Sequence, residues 1–191
     1  MGRGVRVSRE TLETRVAVEV YSGPGRVEAS TPVPMLNHLL ETLLFYAGVS
    51  GRVVVEEVKH VDDHHVAEDA ALALGEALAR LAPRPMKRFG WAVVPMDESL
   101  CMAALDVSGR PGAWVDLGVE GADAVGGLRV ENAAHFIASL ASAMRATVHV
   151  RALRTGNTHH VVEACFKALG FALRQALEPS ETVMSTKGVV V

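Results

Sequence analysis

The segment DDHHVAED carries His64, His65 and Glu68, and the segment NTHHVVEA carries His159, His160 and Glu163. Imidazole and carboxylate both bind metal ions, so a histidine pair trailed by a glutamate is a ligand pattern wherever the segment is helical. On a helix, positions i and i+4 share a face, while i and i+1 are turned about 100° apart. His64 and Glu68 can then hold one ion together, as can His159 and Glu163, while His65 and His160 point elsewhere and can serve a different ion. Two more histidines, His38 in MLNHLLETL and His135 in NAAHFIASL, stand upstream of the two pairs and can complete the sets. Six histidines and two glutamates divide into three nitrogens and one carboxylate for each of two metals. Four protein ligands leave room for water or substrate only on a six-coordinate ion, which favours Mn2+ or Fe2+ over closed tetrahedral Zn2+.

A second group of residues suits an anion. Lys167 follows Glu163 by four positions and shares its helix face, whereas the matching position after Glu68 is Leu72. A cation beside one motif only suggests that a substrate anion is read there. Other cations stand in turn-like contexts: Arg88 in KRFG, Arg110 in SGRP, and Lys187 after Ser185 and Thr186 in STKG. Arginine offers a planar fork of donors to phosphate or carboxylate, and lysine a point charge. His60 and His149 lack repeat partners and are expected to be structural or solvent-facing.

These residues need elements to hold them, and the elements repeat. Shifting the sequence by 95 places His64, His65 and Glu68 on His159, His160 and Glu163, and Gly75 on Gly170. His38 and His135 are related by a shift of 97. An internal duplication is the simplest account. ETRVAVEVY alternates with the period of a half-buried strand, and SGPG turns the chain after it. Helices are expected over 35–47 and 63–81, with a strand over 52–58 between them. In the second half GWAVVPMDESLCMAALDVSG and AWVDLGV supply strands, followed by helix 131–144, strand 146–153 and helix 158–177. Asp62 or Asp63, and Asn157 or Thr158, are placed to cap the long helices. Each half reads as ββαβα, which predicts an α/β (α+β) fold packed as a sheet–helix–helix–sheet sandwich. The expected organisation is one domain of two similar halves, about 8–85 and 86–180, with a C-terminal tail over 181–191. Residues 118–127 read as an exposed loop.

The general composition narrows the function classes. A net charge of −3 gives no basic surface for nucleic acid. No apolar run approaches the roughly 20 residues that cross a bilayer, and MGRGVRVSRE has no apolar signal core. Cys101 and Cys165 are the only cysteines, so no disulfide scaffold is indicated. A cytoplasmic globular protein is expected. Besides a di-metal enzyme acting on an anion, two alternatives fit the ligand count: a di-metal carboxylate protein that stores metal or activates oxygen on a helix bundle, and a metal-linked shell without catalysis.

Taken together, DDHHVAEDAALALGEAL, KRFG, VPMDESL, ALDVSGRP, NTHHVVEACFKAL and STKG resemble the imidazoleglycerol-phosphate dehydratase family, in order from about Glu13 to Gly188. The resemblance implies two similar α/β halves, two Mn2+ ions (Fe2+ or Zn2+ being the substitutes), and trimers assembled into a 24-subunit shell with active sites at subunit contacts. It implies one ion on His38, His65, His159 and Glu163, and the other on His64, Glu68, His135 and His160. It assigns substrate contacts to Glu13, Arg88, Arg110, Lys167, Ser185, Thr186 and Lys187. Glu13 is the expected acid/base, beside the metal-holding His64, Glu68 and Glu163 in the catalytic set. The implied reaction removes water from D-erythro-imidazole-glycerol phosphate to give imidazole-acetol phosphate in histidine biosynthesis. The chain departs from the family in Asn37, where Asp usually precedes the histidine, in Tyr46, often His, and in STPVPM in place of a Gly-rich lead-in. An Asn at 37 is expected to orient His38 more weakly than an Asp.

Overall fold

The computed structural model describes residues 3–119 and 124–188. The element order is β1 (Gly4–Glu10), β2 (Thr14–Ser30), α1 (Pro34–Ala47), β3 (Val49–Glu57), α2 (Asp63–Leu81), β4 (Phe89–Met96), β5 (Ser99–Asp106), β6 (Gly112–Asp116), β7 (Ala124–Val125), β8 (Leu128–Arg129), α3 (Val130–Met144), β9 (Thr147–Arg154) and α4 (Thr158–Ala176). The helices and most strands form where the periodicities place them, but β1, β7 and β8 were not placed from the sequence, and SGPG, expected as a turn after the strand, lies within β2 as an irregular stretch. In β2, Thr14, Val16, Val18 and Val20 are buried while the residues between them face outward, as a pleated strand with one core face requires. The side chains of Asp62 and Asn157 accept from the backbone N–H groups of His64 and His159, each at 2.9 Å, and so start α2 and α4 at the histidine pairs.

The strands make a sheet of order β1-β2-β3 and a sheet of order β4-β5-β9-β6. Helices α1 and α2 cover the first sheet and α3 and α4 the second, and the layers meet as the pairs α1–α4 and α2–α3. This is the expected sandwich, and Leu36, Leu39, Leu40, Leu43 and Leu44 of α1 are fully enclosed in it. Each such side chain contributes roughly 1.5–3 kcal/mol on burial. β6 is an addition to the ββαβα pattern and runs parallel to β9. The end of β2 does something similar in the first sheet: Val27 lies opposite Gly51 and Ser30 opposite Val54, so both numbers rise together.

Gly75 and Gly170 sit at the two helix crossings. A Cβ on Gly75 would lie 2.7 Å from Ala143 Cβ and from Leu140 O, and one on Gly170 would lie 2.8 Å from Leu43 O and Tyr46 Cβ. The shift of 95 seen in the sequence is thus also a repeated point of close helix contact.

Two expectations change. Cys101 of β5 and Cys165 of α4 are bonded as a disulfide across 64 residues of chain, with Cα atoms 5.0 Å apart. Too few cysteines for a scaffold still suffice for one staple, and both are fully buried where sheet and helix meet. The loop expected over 118–127 partly lies outside the described residues, at 120–123, but its end is ordered. β7 and β8 form a hairpin, and Met35 N–H at the start of α1 donates to Gly126 O (3.1 Å). Of the tail, 189–191 lie outside the described residues.

Candidate metal centre

Three three-donor groups form among the described residues: Asp97, Glu98 and His160 make one beside the β4–β5 turn, and the other two each lie across one helix pair. Between α1 and α4, Glu163 Oε2 lies 3.2 Å from His38 Nε2 and 3.1 Å from His159 Nε2. The two rings stack with centroids 5.5 Å apart. Between α2 and α3, Glu68 Oε1 lies 3.1 Å from His135 Nε2, and His64 stacks on His135 at 4.4 Å. In each group one ligand atom from each of the three residues lies within 4.8 Å of the others. In the two groups between helices, the His–Glu spacing of four puts two donors on one helix; the third comes from the facing helix.

The donor chemistry fits a cation. His38 Nε2 is buried and, although Glu163 Oε2 lies 3.2 Å away, the angle makes no hydrogen bond, so the nitrogen faces the carboxylate with its lone pair or proton unsatisfied. Burial pushes Glu163 up, but the Lys167 ammonium and then His38 outweigh it and hold the carboxyl below its ordinary value. An ionised carboxylate beside open imidazole nitrogens is what a divalent ion requires. Lys167 Nζ binds the other oxygen, Glu163 Oε1, at 2.8 Å, also donates to Met96 S, and stands 5.9 Å above the Tyr46 ring. A cavity of about 320 Å³ opens beside Glu163 and Lys167, bordered by Glu41, Thr42 and Tyr46.

The remaining two histidines of the pairs are not in the two groups between helices. His65 stands edge-on to His64 and its Nδ1 meets Glu13 Oε2 at 3.1 Å. His160 stands edge-on to His159 and its Nδ1 meets Glu98, at 3.2 Å to Oε1 and 3.0 Å to Oε2. Each expected ligand set is assembled as three donors, with its fourth histidine turned away by one residue's rotation. Glu98 is held at about 2, first by the Asn157 backbone N–H, then by its own, and then by His160.

Three supporting residues were not read from the sequence. Asn132 is buried, and His64 Nδ1 donates to its Oδ1 (3.0 Å), leaving Nε2 for metal. Asp69 is buried beneath the 11–14 turn. It takes the Thr14 hydroxyl, the Thr11 hydroxyl (3.4 Å) and Arg9 Nε (2.6 Å), and so fixes the turn that carries Glu13. Glu98 is the third. A polar residue one turn before His135, or next to Glu68, was the only signal available. Asn37 behaves differently from the expectation that it orients His38. Its amide accepts from Thr31 N (2.7 Å) and donates to Thr31 O (3.2 Å), closing the lead-in to α1.

The other cations gather elsewhere. Arg88 forks onto Asp106 (2.6 and 2.9 Å) and reaches Met184 O (2.8 Å), just before Ser185, Thr186 and Lys187. The Asp106 carboxylate raises the Arg88 pKa. Arg110 is exposed in the turn after β5, where its carbonyl accepts from the Thr147 hydroxyl. Arg88 N–H also donates to Ala176 O at the end of α4 (2.9 Å). From His159 to Ala176 α4 rises roughly 25 Å at 1.5 Å per residue. Within one chain, Lys167 is beside the His38, His159 and Glu163 group, and Arg88, with the tail it holds, is at the far end of α4. His60 pairs with Glu57 (3.0 Å) and His149 stacks on Trp114 (4.7 Å); neither joins a ligand group among the described residues.

Comparison with known proteins agrees with this architecture. The family model described as imidazoleglycerol-phosphate dehydratase matches residues 31–173. The imidazoleglycerol-phosphate dehydratase of Caldivirga maquilingensis is 46% identical over the whole of both chains. That of Pyrobaculum calidifontis is 50% identical over 95% of this chain and 97% of its own. Among solved structures, the fold is similar to IGPD from Pyrococcus furiosus in complex with (S)-C348, with a TM-score of 0.85, 41% identity, and coverage of 95% of this chain and 99% of that one. It is also similar to the enzyme from Staphylococcus aureus, with a TM-score of 0.81, 30% identity, and coverage of 93% and 100%. The two outer sheets exclude the helix-bundle alternative, and the chain belongs to the imidazoleglycerol-phosphate dehydratase family, hydro-lyases of histidine biosynthesis.

Proposed function

We propose that this chain dehydrates its imidazole substrate at two Mn2+ ions, each held by one three-donor group between helices and completed by a histidine from a neighbouring chain. The observation that carries this reading is the repeated three-plus-one arrangement. His38, His159 and Glu163 converge without His65, and His64, Glu68 and His135 converge without His160. His65 and His160 are half-buried and anchored through Nδ1, which leaves Nε2 of His65 to reach outward and Nε2 of His160 facing, among the described residues, only the exposed Asp97 carboxylate, at 3.8 Å. The separation along α4 between the ligands and Arg88 also favours a site built from more than one chain.

Bound metal would supply Lewis acidity toward the two imidazole nitrogens and lower the N–H pKa. The chain's own groups do the rest. Arg110 and Lys187 anchor the phosphate, with Arg88 holding the 184–187 segment in place. Lys167 holds Glu163 ionised and leans into the adjoining cavity. Glu13, braced by Asp69 through Thr11 and Thr14, takes the carbon-bound proton and assists departure of the hydroxyl. Among the described residues no helix is long and apolar enough to cross a membrane, and we place the reaction in the cytoplasm and the chains in trimers of a 24-subunit shell.

The test is metal removal. Binding between chains is linked to any ligand they share. Chelator is expected to shift the particle to a smaller species by light scattering and to stop turnover, and Mn2+ at two per chain to restore both. A metal-free particle of unchanged size refutes the shared-ligand reading.

A further inference from the structure

The second histidine of each pair meets a carboxylate that hangs from the first hairpin turn of its half. The turn between β1 and β2 brings Glu13 Oε2 to 3.1 Å from His65 Nδ1. The turn between β4 and β5 brings Glu98 to 3.0 Å from His160 Nδ1. The histidines are related by the 95-residue shift but the glutamates are not, because the stretches from turn to helix differ in length. The correspondence is therefore invisible in the linear sequence and appears only in the fold.

The two carboxylates are tied down differently. Glu13 engages His65 alone through its side chain. Glu98 Oε1 also accepts from Asn157 N–H (2.6 Å), the backbone group at the start of α4. The approach is tight: a Cβ on Gly156 would lie 2.3 Å from Glu98 Cγ and Oε1. Glu98 thus fixes both the entry into α4 and the ring of the third residue of that helix.

We propose that Glu98 is the positioning residue of His160: it accepts the Nδ1 proton, sets the tautomer, and aims Nε2 outward as the fourth ligand of the His64, Glu68 and His135 site. A carboxylate on the far nitrogen of a ligating histidine orients the ring and raises its basicity. Glu98 is the counterpart of Glu13, but its commitment to the α4 backbone confines it to positioning, while Glu13 keeps its freedom to move a proton. The assignment rests on His160 being a ligand, and the test separates the two claims.

Glu98→Gln keeps an oxygen for Asn157 N–H and removes the charge facing His160. Mn2+ titration of the chelator-stripped protein by calorimetry is expected to show one of two sites weakened about 10- to 100-fold, the other unchanged, and the melting temperature of the metal-free protein retained. In a His160→Ala background, Glu98→Gln is expected to add no further loss. Glu98→Asp keeps the charge one methylene short, should fall between, and serves where the Gln variant does not fold. If His160→Ala loses a site and Glu98→Gln binds both ions as the wild type does, the positioning role is wrong. It is equally wrong if Glu98→Gln weakens binding to the same extent with and without His160. If His160→Ala keeps both sites intact, the ligand assignment itself falls, and this proposal with it.

Discussion

Replacing Gly75 by Ala tests whether helix spacing sets metal geometry. The added Cβ meets Ala143 Cβ and the Leu140 carbonyl at 2.7 Å. Ordinary contact begins near 3.4 Å, so α2 and α3 must part by about 0.7 Å, because an interior packed at crystal density has no slack to absorb a methyl group. A carbonyl oxygen cannot rotate away as a side-chain tip can. Ala is favoured over Gly within a helix by about 1 kcal/mol, while overpacking costs about 1–3 kcal/mol. The net effect is a loss of about 0–2 kcal/mol in stability of the metal-free protein. The functional effect is larger in proportion, because α2 carries His64 and Glu68 and α3 carries Asn132 and His135, with Glu68 and His135 3.1 Å apart. Sites of this kind tolerate about 0.5 Å of displacement. The expectation is about tenfold or greater weakening of one Mn2+ site, read by calorimetric titration, with the His38, His159 and Glu163 site unaffected. Gly170→Ala, which strikes Leu43 O and Tyr46 Cβ at 2.8 Å, is expected to give the converse pattern. A Gly75→Ala protein that is about 1 kcal/mol more stable in urea denaturation and binds both ions normally would refute the reasoning.

Arg110→Lys loses the fork of a charge-assisted contact worth about 1.5–3 kcal/mol. KM for the phosphorylated substrate should rise about tenfold or more with metal content unchanged and inhibition by a neutral triazole little altered; equal weakening of triazole and substrate would place Arg110 at the metal site. Asn37→Asp sets a carboxylate against Thr31 O, where the amide now donates at 3.2 Å. A loss of about 1–3 kcal/mol should follow for the unpaired carbonyl, and an unchanged melting temperature would contradict this. The paired Cys101 and Cys165 should give no thiols when the protein is denatured without reductant. Closing 64 residues of chain predicts a loss of about 4 kcal/mol in the double Ser variant; two titratable thiols would overturn the pairing. His64→Ala should abolish turnover and lower metal content, while His149→Ala leaves both nearly intact, and equal losses would show that His149 is no bystander.

Local order was legible because it depends on neighbours in the chain. Asp62 and Asn157 start their helices through the next turn, and a spacing of four puts His159 and Glu163 on one face. The repeated helix contact was foreshadowed by Gly75 and Gly170. The two layers followed because each sheet and helix has one apolar face to bury. What the sequence left open is everything settled between distant segments. That Glu163 goes with His38 and Glu68 with His135 came only from the family resemblance, and that Asn132 faces His64 from neither residues nor resemblance, because each depends on which helices cross and at what height. Glu98 could not be matched to His160, because the stretches from turn to helix differ in length between the two halves and pairing acts through space. Nor could the pairing of Cys101 with Cys165 be read from two isolated cysteines. Helix periodicity fixes the direction of a side chain relative to its own helix, whereas its partner is fixed by packing the whole core at once, and that is decided only when the tertiary structure closes.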